Sequence, residues 1–262
     1  MSMKPIRYIQ ILLCSLLTSC FVTQTHRNLA SSQLFETKFE ELTLFDSLRS
    51  RPVPVALYFP GNTKIINRQK VIIISHGYNA NTGKSNLGYS YISQYLASKG
   101  YFVASIQHEL PTDSLLPLTG IPQIVRKTNW ERGVKNILFV RNELKKRRPG
   151  LDYKHLILIG HSNGGDMTML FAQKYPDLVS KAISLDNRRV NLPRTKHPRI
   201  YSLRSSDQPA DKNVLPTPAE QDKYGIKIIK LPDTPHTAMS DDGNQQQKEE
   251  INKYILGFLN DD

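Results

Sequence analysis

The residues whose types and spacing best suit chemistry lie in LILIGHSNGGDM, residues 156–167. Gly160-His161-Ser162-Asn163-Gly164 fits G-x-S-x-G, with an apolar strand-like run before it and a helical pattern after it. Glycines two before and two after a serine let the chain turn sharply, and such a turn lifts the hydroxyl clear of the strand. A serine hydroxyl is a weak nucleophile at neutral pH; it needs a base, and the base needs an acid to orient it. A phosphate-cradling loop is disfavoured, because neither G-x-G-x-x-G nor a lysine in the phosphate-loop position is present.

Four histidines compete for the role of base. His161 adjoins the nucleophile and is expected to point away from it, His155 opens the strand at its other end, and His197 precedes Pro198 in a short connector. His236 remains, in LPDTPHTAMSDDG after the last strand, in a loop braced by Pro232 and Pro235. For the acid the first choice is Asp207, in SDQPAD, because the chain order Ser162, Asp207, His236 is the one the serine motif predicts. Asp186, in SLDNRR, is the alternative, although Arg188 and Arg189 offer it a merely structural ion pair, and Asp211 comes third. The backbone N–H of Asn163, at a helix start, and that of Tyr78, after the strand ending in SHG, are the expected oxyanion donors. The Tyr78 ring could also wall a subsite.

These residues need a scaffold that brings distant loops to one edge. FEELTLFD and VPVALYFPG read as short strands of an antiparallel start. KVIIISHG, YFVASIQHE, HLILIGH, VSKAISLD, RIYSLRSS and IKIIKLP read as buried strands, most of them separated by amphipathic helical segments. The expected fold is α/β: a mostly parallel central sheet with helices on both faces and functional groups beyond the carboxyl ends of its strands. Only about a dozen residues connect the strands near Asp186 and Arg199, so no helical cap is expected there. The site should be open, roofed at most by the stretch 110–128.

The 262 residues, 39% hydrophobic and 22% charged, fit one globular domain, expected over 37–262 behind a leader at 20–36. Residues 1–19 read as a signal segment, with Lys4 and Arg7 ahead of an apolar run. Leu17, Thr18 and Ser19 directly before Cys20 resemble the bacterial lipoprotein box, which implies lipidation at Cys20, export and anchoring to a membrane of the cell envelope. Phe21 is not the aspartate associated with inner-membrane retention. Cys14 would leave with the signal, which removes disulfide, thiolate-metal and cysteine-nucleophile chemistry together. The net charge is +12, or +10 once Lys4 and Arg7 are gone. For an exported chain this does not point to nucleic acid, and KKRRPG at 145–150 reads as the cationic end of a helix.

Together, SHGYNA, LASKGYFVASIQHE, GHSNGGD, an aspartate 45 residues past the serine and a histidine 29 further on resemble the α/β-hydrolase superfamily. Within it the chain looks like the compact bacterial lipases and polyester hydrolases and the platelet-activating-factor-acetylhydrolase-like enzymes. The resemblance implies a serine hydrolase acting through an acyl-enzyme on a small-molecule or lipid-like ester, without metal or organic cofactor. The acetylhydrolase-like subgroup takes its acid after the strand that follows the nucleophile helix, which here is Asp186. A thioesterase or peptidase would use the same groups, and a non-catalytic envelope binding protein could keep the same scaffold.

Overall fold

The computed structural model describes residues 34–62 and 68–261, so the signal segment, Cys20 and the leader up to residue 33 lie outside the described residues. Strand order follows from how much of each strand is apolar. β1 (Thr37–Asp46) is exposed along most of its length, sits at the sheet edge and pairs antiparallel with β2 (Arg51–Pro60). β3 (Lys70–Ser75) and β4 (Phe102–Ile106) are nearly continuous runs of buried residues, as strands covered on both faces must be. They are followed by β5 (Asp152–His161), β6 (Lys181–Leu185), β7 (Arg199–Arg204) and β8 (Lys227–Lys230). The order across the sheet is β1-β2-β4-β3-β5-β6-β7-β8; β2 is antiparallel to both its neighbours and every other pair is parallel. The chain therefore has the α/β-hydrolase fold expected from the element order.

Alternate residues of each central strand face opposite layers. Val71, Ile73, Leu156 and Leu158 pack with residues of α3 (Lys127–Arg147) and α4 (Ser162–Lys174), after α1 (Ser90–Ser98) and the short α2 (Pro122–Val125). Ile72, Ile74, Ile157 and Ile159 pack instead with Ile92 and Leu96 of α1 and with Ile251 and Ile255 of α6 (Gln245–Leu259), the helix after α5 (Pro218–Tyr224). Helices α3 and α4 approach closely at Gly133, where any Cβ would overlap the Met167 side chain. The basic run ends α3 as a cationic last turn of Lys145, Lys146 and Arg147.

No helix interrupts residues 186–198, so there is no helical cap between β6 and β7. The long connector after β4 is pinned across the site instead. Arg51 donates two bonds to Asp113, at 2.7 and 2.6 Å, and Leu116 N–H donates to the Tyr78 hydroxyl at 3.0 Å.

Candidate active site

Ser162 sits where β5 gives way to α4, with φ of 52°, a left-handed conformation that a non-glycine residue adopts only when its surroundings hold it there. The flanking glycines permit the turn for steric reasons. A Cβ on Gly160 would overlap Gly164 O and Thr168 Oγ1, and one on Gly164 would overlap the carbonyl oxygens of Ser75 and His76. The Asn163 side chain, second in the helix, is locked inward: it accepts from Trp130 Nε1 at 2.8 Å and donates to Asn129 Oδ1 at 2.9 Å and Glu109 Oε1 at 3.1 Å. Its backbone N–H, in the first helical turn, is left without an intrahelical acceptor. Asn129, Trp130 and Glu109 carry no motif of their own in the sequence; their role appears only when α3 and the β4 loop are packed against α4.

His236 opens a 3-10 turn, His236–Met239, in the loop beyond β8. Its Nε2 lies 2.9 Å from Ser162 Oγ and its Nδ1 lies 2.5 Å from Asp186 Oδ2. With Nδ1 donating to the carboxylate, Nε2 is the free acceptor facing the serine hydroxyl. The acid beside the ring is thus not Asp207, the first choice from the sequence, but Asp186. Asp207 accepts from the backbone N–H of His236 at 2.7 Å, so it holds the loop that carries His236, and its bond is to the backbone and not to the ring. Both aspartates follow adjacent parallel strands at the same edge; strand order and loop path decide which reaches the imidazole.

Asp186 is fully buried and itself adopts φ of 58°. Burial alone would raise its carboxyl, but the hydrogen bond from His236, the Arg204 charge and two bonds from Ser205 outweigh it and hold the group below the ordinary aspartate value. The ion pair of Asp186 is with Arg204, at 2.8 Å, and not with Arg188 or Arg189, the structural partners that the sequence offered it. Arg189 pairs with Asp211 instead. The only hint of Arg204 in the sequence is a charged residue closing the otherwise uncharged buried stretch IYSL.

His161 also departs from expectation, because it faces the site. Its ring centroid is 4.6 Å from that of His236, and it lines the cleft beside Ser162. It is poorly suited to be a base. Burial first, then the neighbouring His236, push its imidazole down to about 3, so the ring is neutral near pH 7. Its Nδ1 accepts from the Tyr89 hydroxyl at 2.6 Å, and that phenol, kept protonated by burial, accepts in turn from Gly77 N–H at 3.1 Å. Gly77 must be small, since a Cβ there would press on His161 Nδ1. The chain Gly77, Tyr89, His161 ties the loop that carries Tyr78 to the turn that carries Ser162. Tyr78 borders the open space on both sides of Ser162. Of the other histidines, His155 bonds Asp152 on an exposed part of β5 and His197 is exposed in its connector.

No protein-family model matches the chain. Among curated proteins it is similar to ethanol acetyltransferase 1 of Eremothecium cymbalariae, 54% identical over 43 residues, a match spanning 16% of this chain and 12% of that protein. Among solved structures it superposes on esterase Est22 with a TM-score of 0.63 at 14% identity, covering 88% of this chain and 82% of the other. It superposes on a bacterial heroin esterase at 0.59 and 14%, covering 89% and 86%. A third, a serine hydrolase without a lid from Xanthomonas campestris, gives 0.56 and 15%, covering 86% and 95%. At these identities the likeness is one of fold.

Proposed function

We propose that the chain is a serine hydrolase that cleaves carboxylic esters through an acyl-enzyme, with Ser162 as nucleophile, His236 as base and Asp186 as orienting acid. The observation that carries this reading is the continuous contact from Ser162 Oγ to His236 Nε2 and from His236 Nδ1 to Asp186, built on a strained strand-to-helix turn. Ser162 Oγ bonds to the ester carbonyl carbon as its proton passes to His236 Nε2. The bond to the alcohol oxygen breaks, and that proton leaves with the alcohol. Water then attacks the acyl-serine, giving its proton to His236 and releasing the acid; the serine recovers its hydrogen. The backbone N–H groups of Asn163 and Tyr78 serve the carbonyl oxygen as its charge develops. Asp186 keeps the imidazole in the tautomer whose Nε2 faces the serine and steadies the imidazolium. That the superposed structures include esterases supports the bond type.

A fluorophosphonate probe tests the assignment. Covalent labelling of the wild type and none of Ser162→Ala is expected; a folded wild type that takes no label overturns it. A transferase shares the first half-reaction and differs in its acceptor, so adding ethanol and measuring ethyl ester against free acid separates the two. The same proposal includes lipid anchoring at Cys20 in a bacterial envelope. Metabolic incorporation of a labelled fatty acid, lost in Cys20→Ser, is the expected result there.

A further inference from the structure

Two open spaces meet at Ser162, and the proton path assigns them. His236 must protonate the leaving oxygen, so the alcohol lies on its side, in a cleft of about 420 Å³ that His161, His236, Thr237 and Ser240 help to line. The other space, about 200 Å³, is bordered by Ser162 and Asn163 but not by His236, and so receives the acyl part. Its outer wall is cationic: Arg126, at the junction of α2 and α3, faces Arg188 and Arg189 from the loop after β6.

These arginines are not equivalent. Arg189 is paired with Asp211, which Gln123 of α2 also holds. Among the described residues neither Arg126 nor Arg188 forms an ion pair. Arg126 Nε donates to Pro117 O at 2.9 Å, Arg188 Nη1 donates to Gln208 Oε1, and Arg188 Nε is buried with no hydrogen-bond partner. Asp166 also borders the space, but its Oδ1 accepts from Asn187 Nδ2 and from the backbone N–H groups of Arg189 and Val190. It fixes the arginine-bearing loop and offsets part of the guanidinium charge. Three cations against two carboxylates leave a positive wall. Arg126 is lowered by burial and then by repulsion from Arg189 and Arg188, with Asp166 and Asp211 opposing, which shows how closely the charges crowd. A guanidinium with free donors beside a second one is suited to a carboxylate, whose two oxygens can accept from both.

We propose that this space is an anion-recognising acyl subsite in which Arg126 and Arg188 hold a carboxylate at the distal end of the acyl chain, so that half-esters of dicarboxylic acids are the preferred substrates. The proposal rests on the ester-hydrolase reading above. Two substrates separate them: the 4-nitrophenyl half-ester of adipic acid and its neutral counterpart, methyl 4-nitrophenyl adipate, both read as nitrophenol release by the full-length chain. The wild type is expected to favour the anionic ester in kcat/KM by at least about tenfold, the scale of a charge-assisted contact. The preference should shrink with added salt and fall toward one in Arg188→Gln and in Arg126→Gln. Arg147→Gln, which removes the same charge from the exposed far end of α3, should leave it unchanged. Should Arg188→Gln fail to fold by circular dichroism, Arg126→Gln decides, since that side chain holds a single carbonyl. Cleavage of the methyl ester with no anionic preference overturns the subsite and leaves the hydrolase standing, as does an undiminished preference in folded arginine variants. Cleavage of neither ester overturns both.

Discussion

The two sides of Ser162 are built on different principles. On the His236 side, polar groups are paired with one another: Tyr89 with Gly77 and His161, His236 with Asp186, Asp186 with Arg204 and Ser205. On the arginine side, charge is left over. A proton-transfer apparatus must hold one tautomer in one place, which calls for partners that fix the reacting rings in a buried setting. A recognition wall does the opposite, keeping donors unsatisfied until a ligand arrives and drawing its energy from that deficit.

The sharpest way to break this division is to compare the two aspartates on the paired side. Asp186→Asn should cut kcat by about 10³-fold or more on both esters, because the amide no longer selects the imidazole tautomer. Asp207→Asn should cost about tenfold or less, since it loosens one backbone bond and leaves the ring's partner in place. Steady-state rates of the two variants read this directly, and the reverse ranking would return the acid to Asp207.

A smaller effect concerns His161 and the fully buried His108, both of whose pKa values lie below the free-histidine value of 6.5. Below pH 6.5 the unfolded chain binds protons that the folded chain refuses, so stability present above that pH is lost as pH falls toward about 3 for His161. Each such histidine costs about 1.4 kcal/mol per pH unit once below its unfolded value. Thermal unfolding between pH 7 and 5 should show the decline, with a shallower slope in His161→Gln.

The smallest effect belongs to the arginine side. Burial raises Asp166 to about 6 despite three hydrogen bonds that oppose the shift. As pH falls from 7.5 to 5.5 it loses its charge, leaving Asp211 as the remaining carboxylate beside Arg126, Arg188 and Arg189. A substrate carboxyl of glutamate-like pKa, about 4.3, is still ionised at pH 5.5. The preference for the anionic adipate ester over its methyl ester should therefore rise by roughly twofold to fivefold. Asp166→Asn should show the raised preference already at pH 7.5.

Much of this arrangement is legible in the sequence because it is local. G-x-S-x-G after a run of buried aliphatics specifies a strand, a tight turn and a helix within a dozen residues. Steric exclusion at Gly160 and Gly164 leaves few other conformations for that turn. The alternation of apolar strands with amphipathic segments likewise determines a mostly parallel sheet covered on both faces. His236 could be singled out because its rivals sit in the wrong half of a strand, in an exposed connector, or beside the serine.

What only the tertiary structure decided is who meets whom across that edge. Asp186 and Asp207 follow neighbouring strands, and parallel strands lie only about 4.8 Å apart, so either carboxylate could in principle serve the imidazole. The choice depends on the loop path that brings the ring of His236 over β6 and its backbone N–H to Asp207. The inward turn of His161, the Arg204 ion pair and the unpaired state of Arg188 beside the paired Arg189 are equally non-local. Each depends on partners 18 to 75 residues away, which residue type and spacing along one chain do not encode.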